Sequence, residues 1–590
     1  MSDHSHELGG SSPRLGLIRI GVGLTAGVAV WALQESAEQK VWPATLPPLL
    51  GALAMVALLI PFVLVGGVGA LRGRTLAIWS AAVAVIYAAL GWHDMTRGVF
   101  EPQNPWPSPP LMAFGAAGLF IAHHLVAGAD AERRVIARYP RYFEIAWKHG
   151  VQLALSAAFC GVFWIILFLG GALFNLIGIE AVNELIQKEW FGIPATATMF
   201  AAAVHLTDVR SSLIRGIRTV ALTLLSWLLP ILTLLGAAFL LTLPFTGLEP
   251  LWKTRSAAAI LLSSAAVLII LINAAYQDGE PDGIVPLVLR LTTRLAAALL
   301  APLVILAAYA LWLRVGQHGL TPDRVVGVAC AVAGAVYAVG YLAAAVRPGR
   351  WMRWLEPTNV TAAFVALALL LAIFTPLADP ARLSVDNQMA RLASGRVTAD
   401  KFDYSFLRWE TGRYGREALD DLVRRGGDAG KRAAAAKAEK ERRYGPDERL
   451  FRETDLEVTW PKGRALPAGF MQQGWDRMER NACTQGDGCR VLLADLTRDG
   501  VEEVVVSNGH QVWVHGLAAG RWRLVGVGYS DRTRRGDFDS VDEALRAGRV
   551  EIRPAPFDEI VVDGKAITIA PAASEKDDEN AVEAEGRPGR

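Results

Sequence analysis

Near the C-terminal end of the chain, Asp495-Leu-Thr-Arg-Asp499-Gly500-Val-Glu502-Glu503 sets Asp495, Thr497 and Asp499 at alternate positions, with Gly500 at a turn and Glu503 closing the loop. Side-chain oxygens at this spacing can converge on a hard cation, and calcium is the ion such a loop takes. Asp and Gly in the same order also build a plain turn between strands, and the residues alone leave both roles open. Just upstream, Cys483 and Cys489 enclose a short stretch that contains Gly486 and Gly488. In an oxidising compartment this pair closes a small disulfide loop; elsewhere it stays as two thiols. No second Cys/His pair lies nearby, so zinc is not indicated.

The remaining polar groups that could do chemistry sit in apolar surroundings. His123 and His124 fall late in one apolar stretch, Asn175 deep in the next, His205 and Asp208 at the close of a third, and Asn273 and Tyr276 at the close of a later one. An ionisable group in hydrocarbon is costly and therefore a site candidate. Most of these lie within a turn or two of a stretch end, where interhelical hydrogen bonding explains them as well. The sequence shows no P-loop, dinucleotide-binding glycine fingerprint, Gly-x-Ser-x-Gly elbow or His-Glu-x-x-His pair. Neither catalytic residues nor a bound organic cofactor are indicated, and enzyme is the minority reading.

What positions these residues is a membrane bundle. Eleven apolar segments occupy 15–35, 49–71, 75–95, 108–128, 150–178, 192–207, 219–243, 257–277, 293–313, 325–346 and 359–378. All but 192–207 hold about 20 residues or more, enough to cross a hydrocarbon core of about 30 Å. With the N-terminus in the cytoplasm, seventeen Lys and Arg fall on the cytoplasmic side and seven opposite. Positive loops stay inside. Removing 192–207 as a span would flip everything downstream and reduce the contrast to thirteen against eleven, so all eleven are retained and the C-terminal part is expected outside the cytoplasm. Residues 129–149, with five basic side chains and four aromatics, suit a helix lying on the cytoplasmic surface, where anionic lipid attracts basic residues; an ordinary basic loop is the alternative.

A formal net charge of +2 on 590 residues gives no reason to expect nucleic acid. The Ala-, Arg- and Gly-rich usage suggests a bacterial chain, and the inner (cytoplasmic) membrane is the expected location. The first apolar segment lacks a small-residue cleavage site and is expected to be retained.

Beyond the last span the composition changes. Residues 379–444 are charged and helical, with Val385, Met389, Leu392, Phe402, Phe406, Leu407, Leu419 and Leu422 at helical spacing. Residues 431–443 (KRAAAAKAEKERR) show no apolar face and are expected to be solvated. Short apolar runs at 456–460, 490–494, 503–507, 511–515, 521–527 and 559–562 are expected strands. The expected fold is an α-helical polytopic membrane bundle (1–378), a helical juxtamembrane segment (379–444), a β-rich periplasmic domain (445–571) and a disordered acidic tail (572–590), which makes the soluble part α+β.

Two stretches resemble the bacterial membrane proteins grouped as domain of unknown function 4153: the loop His318-Gly-Leu-Thr-Pro-Asp-Arg324, and Ser384–Leu422 (SVDNQMARLASGRVTADKFDYSFLRWETGRYGREALDDL). That resemblance implies a membrane architecture and carries no catalytic residues. Thr321 can cap the following helix with Pro322 in its first turn. The Asp495–Glu503 loop and the runs after it resemble the calcium loop and hairpin of a single FG-GAP-type repeat; Thr497 replaces an acidic or amide ligand there, and only one copy is present. Three function classes fit: an envelope protein whose bundle anchors or couples a periplasmic binding or sensing domain, a permease, and an envelope enzyme acting on a lipid-linked substrate. The expected partners are the lipid bilayer and a membrane or periplasmic protein.

Overall fold

The computed structural model describes residues 13–98, 106–209, 211–249, 256–279, 285–348, 350–439, 456–472, 483, 489–508, 511–518, 520–529, 560–562 and 565–567. The expected acidic tail lies outside the described residues. The chain divides into two compact units, Met1–Arg442 and Arg443–Arg590.

The first unit is helical: α1 (Pro13–Glu38), α2 (Pro47–Gly67), α3 (Gly73–Arg97), α4 (Pro109–Glu132), α5 (Tyr139–Leu176), α6 (Ala181–Ile186), α7 (Glu189–Val209), α8 (Ser211–Thr246), α9 (Ala257–Tyr276), α10 (Leu287–His318), α11 (Pro322–Val346) and α12 (Leu355–Ile373), followed by α13 (Pro380–Ala393), α14 (Tyr404–Trp409), α15 (Gly412–Arg425) and α16 (Gly427–Ala438). Proline in the first turn, where its missing N–H costs nothing, starts α2, α4 and α11. Ser108 caps α4 by accepting from the Leu111 amide.

Ten helices among the described residues, α1 to α5 and α8 to α12, are long and apolar enough to cross a membrane. The expected span at 192–207 forms α7, which falls short of that group because it carries Thr196, Thr198, His205, Thr207 and Asp208. Its packing explains how this polarity is tolerated. Gly16, Gly23 and Gly27 of α1 lie against His205, Ala197 with Ala201, and Pro194 of α7 in turn, so the two helices run antiparallel in close contact. On its other side α7 meets α5, where Trp164 donates to Thr196 Oγ1 (3.0 Å) and Gln152 to the Val204 carbonyl (3.4 Å). The hydroxyls of Thr196, Thr198 and Thr207 donate back to α7 carbonyls. Small residues at such seams let backbones approach, which is how helices associate where lipid removes the hydrophobic drive. Gly51 and Gly91 do the same between α2 and α3: a Cβ on Gly51 would sit 2.6 Å from the Gly91 carbonyl oxygen.

Two large apolar cores fill the bundle, beside a smaller one where Leu33 and Ala37 of α1 meet Leu50 and Ala54 of α2. One joins α8, α9, α10 and α11 with the first turns of α5, around Leu229, Leu268, Leu300 and Tyr341; the other joins α2, α3, α4 and α12 around Met55, Val83, Leu119 and Ile373. Outward-facing side chains stay apolar, as with Leu234 at 70% exposure and Val339 at 71%, a surface suited to acyl chains rather than water.

Two expectations are corrected here. Residues 129–149 do not form a surface helix. α4 ends at Glu132, Arg133 turns the chain with φ 53°, and Tyr139, Tyr142 and Phe143 of α5 are buried inside the bundle. In addition, α16 has a buried face: Gly430, Ala433 and Ala436 pack into the core of the juxtamembrane helices with Phe402, Leu407, Leu419 and Leu422. The face is made of small residues, so it carries little hydropathy and reads as solvated.

In the second unit β1 (Leu456–Trp460), β2 (Cys489–Ala494), β3 (Glu503–Ser507), β4 (Gln511–Ala518) and β5 (Arg521–Tyr529) form one sheet in that order. β1 is parallel to β2, and the other neighbours are antiparallel. β6 (Ile560–Val562) and β7 (Lys565–Ile567) form a separate antiparallel pair. Val491, Leu493, Val504, Val506 and Trp513 pack with Phe470 and the Cys483–Cys489 pair, an alternation that puts one sheet face on the core.

Candidate functional site

Where α10 ends, the carbonyls of its last turn have no helical partners. α13 supplies them. Arg391 donates to the carbonyls of Gly316 (3.1 Å) and Gln317 (2.8 Å), and Gln388 to those of His318 (2.9 Å) and Leu320 (3.1 Å). Asn387 Oδ1 accepts from the Leu320 amide at 2.9 Å. Asn387, Gln388 and Arg391 recur at helical spacing on one face of α13, while Val385, Met389 and Leu392 on another face join the juxtamembrane core. Gly319 sits between the two elements with φ 78°, and a Cβ there would stand 2.6 Å from Gln388 Nε2 and 2.9 Å from Asn387 Oδ1. Only glycine fits both that backbone and that space. Arg324 closes the loop from below, donating to the Gly319 carbonyl at 2.6 Å.

This contact joins the loop at 318–324 to the helix at 384–393, two stretches far apart in the chain. Residues 22–422 match the family described as Domain of unknown function (DUF4153). The chain belongs to that family. No curated protein and no solved structure matched it. The family segment covers all but the first turns of the bundle and continues through α13 and α14 into α15, so the clamp lies wholly inside it. It stops before α16 and the sheet, and the FG-GAP resemblance rests on the loop and hairpin alone. Sequence alone suggests a helix-capping role for Thr321 in this loop. Thr321 does occupy the N-cap of α11, but its side chain makes no capping bond; the clamp is the physical reason for the loop.

A second attachment lies at the end of α3. Asp379, fully buried, accepts from His93 Nε2 (3.0 Å), pairs with Arg97 (3.5 Å), and caps α13 through the Ala381 amide (2.9 Å). Burial pushes its carboxyl up, but the His93 hydrogen bond, the Arg97 charge and the Ala381 amide outweigh this and hold it below the ordinary carboxylate range. Arg97 also pairs with Asp94, whose carboxylate accepts from the Ser108 amide (2.7 Å) and hydroxyl (2.8 Å). Gly412, with φ 58°, lies against the Arg97 and Gly98 carbonyls, so α15 packs on the same helix end. None of Asp94, Arg97, Ser108 and Asp379 stood out in the sequence, because each sits at or just beyond the end of an apolar segment, where polar side chains look hydrated.

Of the polar residues singled out inside the apolar stretches, most find protein partners. Asp208 bridges Arg19 (2.9 Å) and Lys148 (2.7 Å). Asn273 closes a ring with Tyr341 and Asn359, each contact 2.7 Å, and Tyr276 donates to Glu356 at 2.8 Å. Asn175 lies in the last turn of α5 and is exposed, not deep in the span. His123 and His124 meet His149, a residue the sequence gave no reason to join to them: His149 Nδ1 and His124 Nε2 are 2.9 Å apart. Among the described residues no group of three or more His, Cys, Asp or Glu is arranged to hold a metal ion.

In the second unit, Cys483 and Cys489 are bonded to each other, with Cα atoms 4.8 Å apart. The Asp495–Glu503 loop connects β2 to β3. Asp495 accepts from the amides of Asp499 (3.2 Å) and Gly500 (3.0 Å), and Asp499 from that of Val501 (2.8 Å). Glu503 accepts from the Leu496 amide (2.6 Å) and the Thr497 hydroxyl (2.8 Å). The side chains are thus gathered around the loop, with much of their bonding capacity turned on its own backbone.

Proposed function

We propose that this protein is a multi-pass inner-membrane scaffold that couples its C-terminal strand-rich unit to the bundle through the α13–α16 joint, with the N-terminus cytoplasmic and the strand-rich unit periplasmic. There it binds a membrane or periplasmic protein partner. The observation that supports this reading is the clamp of Asn387, Gln388 and Arg391 on the α10–α11 loop. A tether alone needs no such fit. A joint that transmits position does, since coupling between distant parts travels through packed, hydrogen-bonded elements.

Hydrogen exchange on the full chain tests it. Arg391→Ala removes two bonds from a charged donor, a loss of about 2–3 kcal/mol. Faster exchange is expected in α13 and in 316–324 together, with α2 and α3 unchanged. Faster exchange in α13 alone would mean that the joint hangs from the bundle without acting on it.

A further inference from the structure

A cavity of about 1090 Å³ lies between α1, α2, α4, α5 and α7, at the upper end of the range of ligand pockets. It follows α7 from Glu189 to Val204, about 22 Å at 1.5 Å per residue. Its middle is walled by groups such as Val63, Leu119, Ile193 and Phe200. Thr196, the polar group there, is already engaged by Trp164 and the Gly192 carbonyl. One end is formed by exposed Lys188 and Glu189, the other by buried His123, His124 and Gln152 with half-buried His149.

The histidine end has a defined hydrogen-bond polarity. Trp79 Nε1–H donates to His123 Nδ1 at 3.2 Å, so that nitrogen is bare and the ring proton is on Nε2. His123 is 7% exposed, its Nε2–H has no partner among the described residues, and it faces the cavity beside Gly66. On the neighbouring pair, His124 Nδ1–H donates to the Phe120 carbonyl, and His149 Nδ1–H to His124 Nε2. A carbonyl can only accept, which fixes the direction and leaves His149 Nε2 with a lone pair. The His123 and His149 rings are 5.9 Å apart. One donor and one acceptor therefore meet at the end of a long apolar wall.

We propose that this cavity is a binding site for a long-chain amphiphile with a hydroxyl or protonated carboxyl head, whose O–H donates to His149 Nε2, whose oxygen accepts from His123 Nε2–H, and whose chain runs along α7 towards Glu189. A water-soluble solute would leave the apolar wall without a match. A phosphodiester head would bring acceptors alone against the His149 lone pair. Partly buried donors and acceptors of this kind reject a ligand that cannot complete both bonds.

The test uses the full chain in nanodiscs with hexadecan-1-ol, hexadecanoic acid and methyl hexadecanoate as radiolabelled probes, counted above empty nanodiscs. Saturable binding near one per protein is expected for the alcohol, the acid or both, and the pair separates the two head types. The methyl ester, which cannot donate, should bind about tenfold more weakly, the cost of one unmade hydrogen bond. His123→Phe should weaken alcohol binding by a similar factor. Gly66→Val should abolish it by filling the head site, since a Cβ there meets only His123 Nε2, at 3.6 Å. Ester binding equal to that of the alcohol overturns the proposal using wild-type protein alone, as does alcohol binding that survives Gly66→Val.

Discussion

At the scale of single residues, the buried charges at the end of α3 carry the sharpest consequences. Asp379→Ala would leave His93 without its carboxylate, leave Arg97 with Asp94 alone, and uncap α13; breaking a buried pair from one side costs about 3–5 kcal/mol. Thermal melts of the purified chain should show that loss at pH 7. Because the folded carboxyl is held below its ordinary value of about 3.9, its contribution is complete above that value and fades as pH falls through the lower, folded one. The melting gap between wild type and Asp379→Asn should therefore narrow between pH 5 and pH 3, and a gap that widens on acidification would contradict the pairing. At the Asp495–Glu503 loop, calcium would compete with backbone amides for Asp495, Asp499 and Glu503, and with the Glu503 carboxylate for the Thr497 hydroxyl. Binding should then be weak, on the order of 10⁻⁴–10⁻³ M, as in extracellular modules. Millimolar calcium should raise the melting temperature slightly by linkage, and Asp499→Ala should remove the rise. Identical melts in calcium and chelator make the loop a turn.

At the scale of elements, helices and strands were legible because hydropathy and period report burial directly. The expected strands at 456–460 and 503–507 coincide with β1 and β3, and the apolar positions of 379–444 became the juxtamembrane core. What hydropathy could not report was contact between small or polar groups. α7 looks too polar to be a span, yet its Thr196, Thr198 and Thr207 hydroxyls bond to its own carbonyls and Asp208 pairs with Arg19 and Lys148, and α16 looks solvated because its buried face is alanine and glycine. The clamp was hidden for a related reason: Asn387, Gln388 and Arg391 look like surface residues until the α10–α11 loop is laid against them. Glycine seams make this testable. A Cβ on Gly91 would sit 2.8 Å from Met55 Cγ and closer still to the Gly51 backbone, whereas Gly161 on α5 has nothing within 4 Å. Gly91→Ala should cost about 1–3 kcal/mol by overpacking, while Gly161→Ala should be neutral or slightly stabilising. Similar melts for the two variants would show that the α2–α3 seam is loose.

At the scale of the whole molecule, everything turns on parity. Ten helices among the described residues are apolar enough to cross a membrane, and ten crossings would return the juxtamembrane helices to the side of the N-terminus. The antiparallel run of α7 between α1 and α5, from Pro194 beside Gly27 to His205 beside Gly16, argues for an eleventh crossing, which agrees with the charge asymmetry of the loops. The cystine in the strand-rich unit fits an oxidising compartment as well. A pair of fusions to an enzyme active only outside the cytoplasm, one after Gly445 and one after Arg141, measures this directly. With eleven crossings the fusion at Gly445 is active and that at Arg141 silent; silence at Gly445, or activity at both, would contradict this topology.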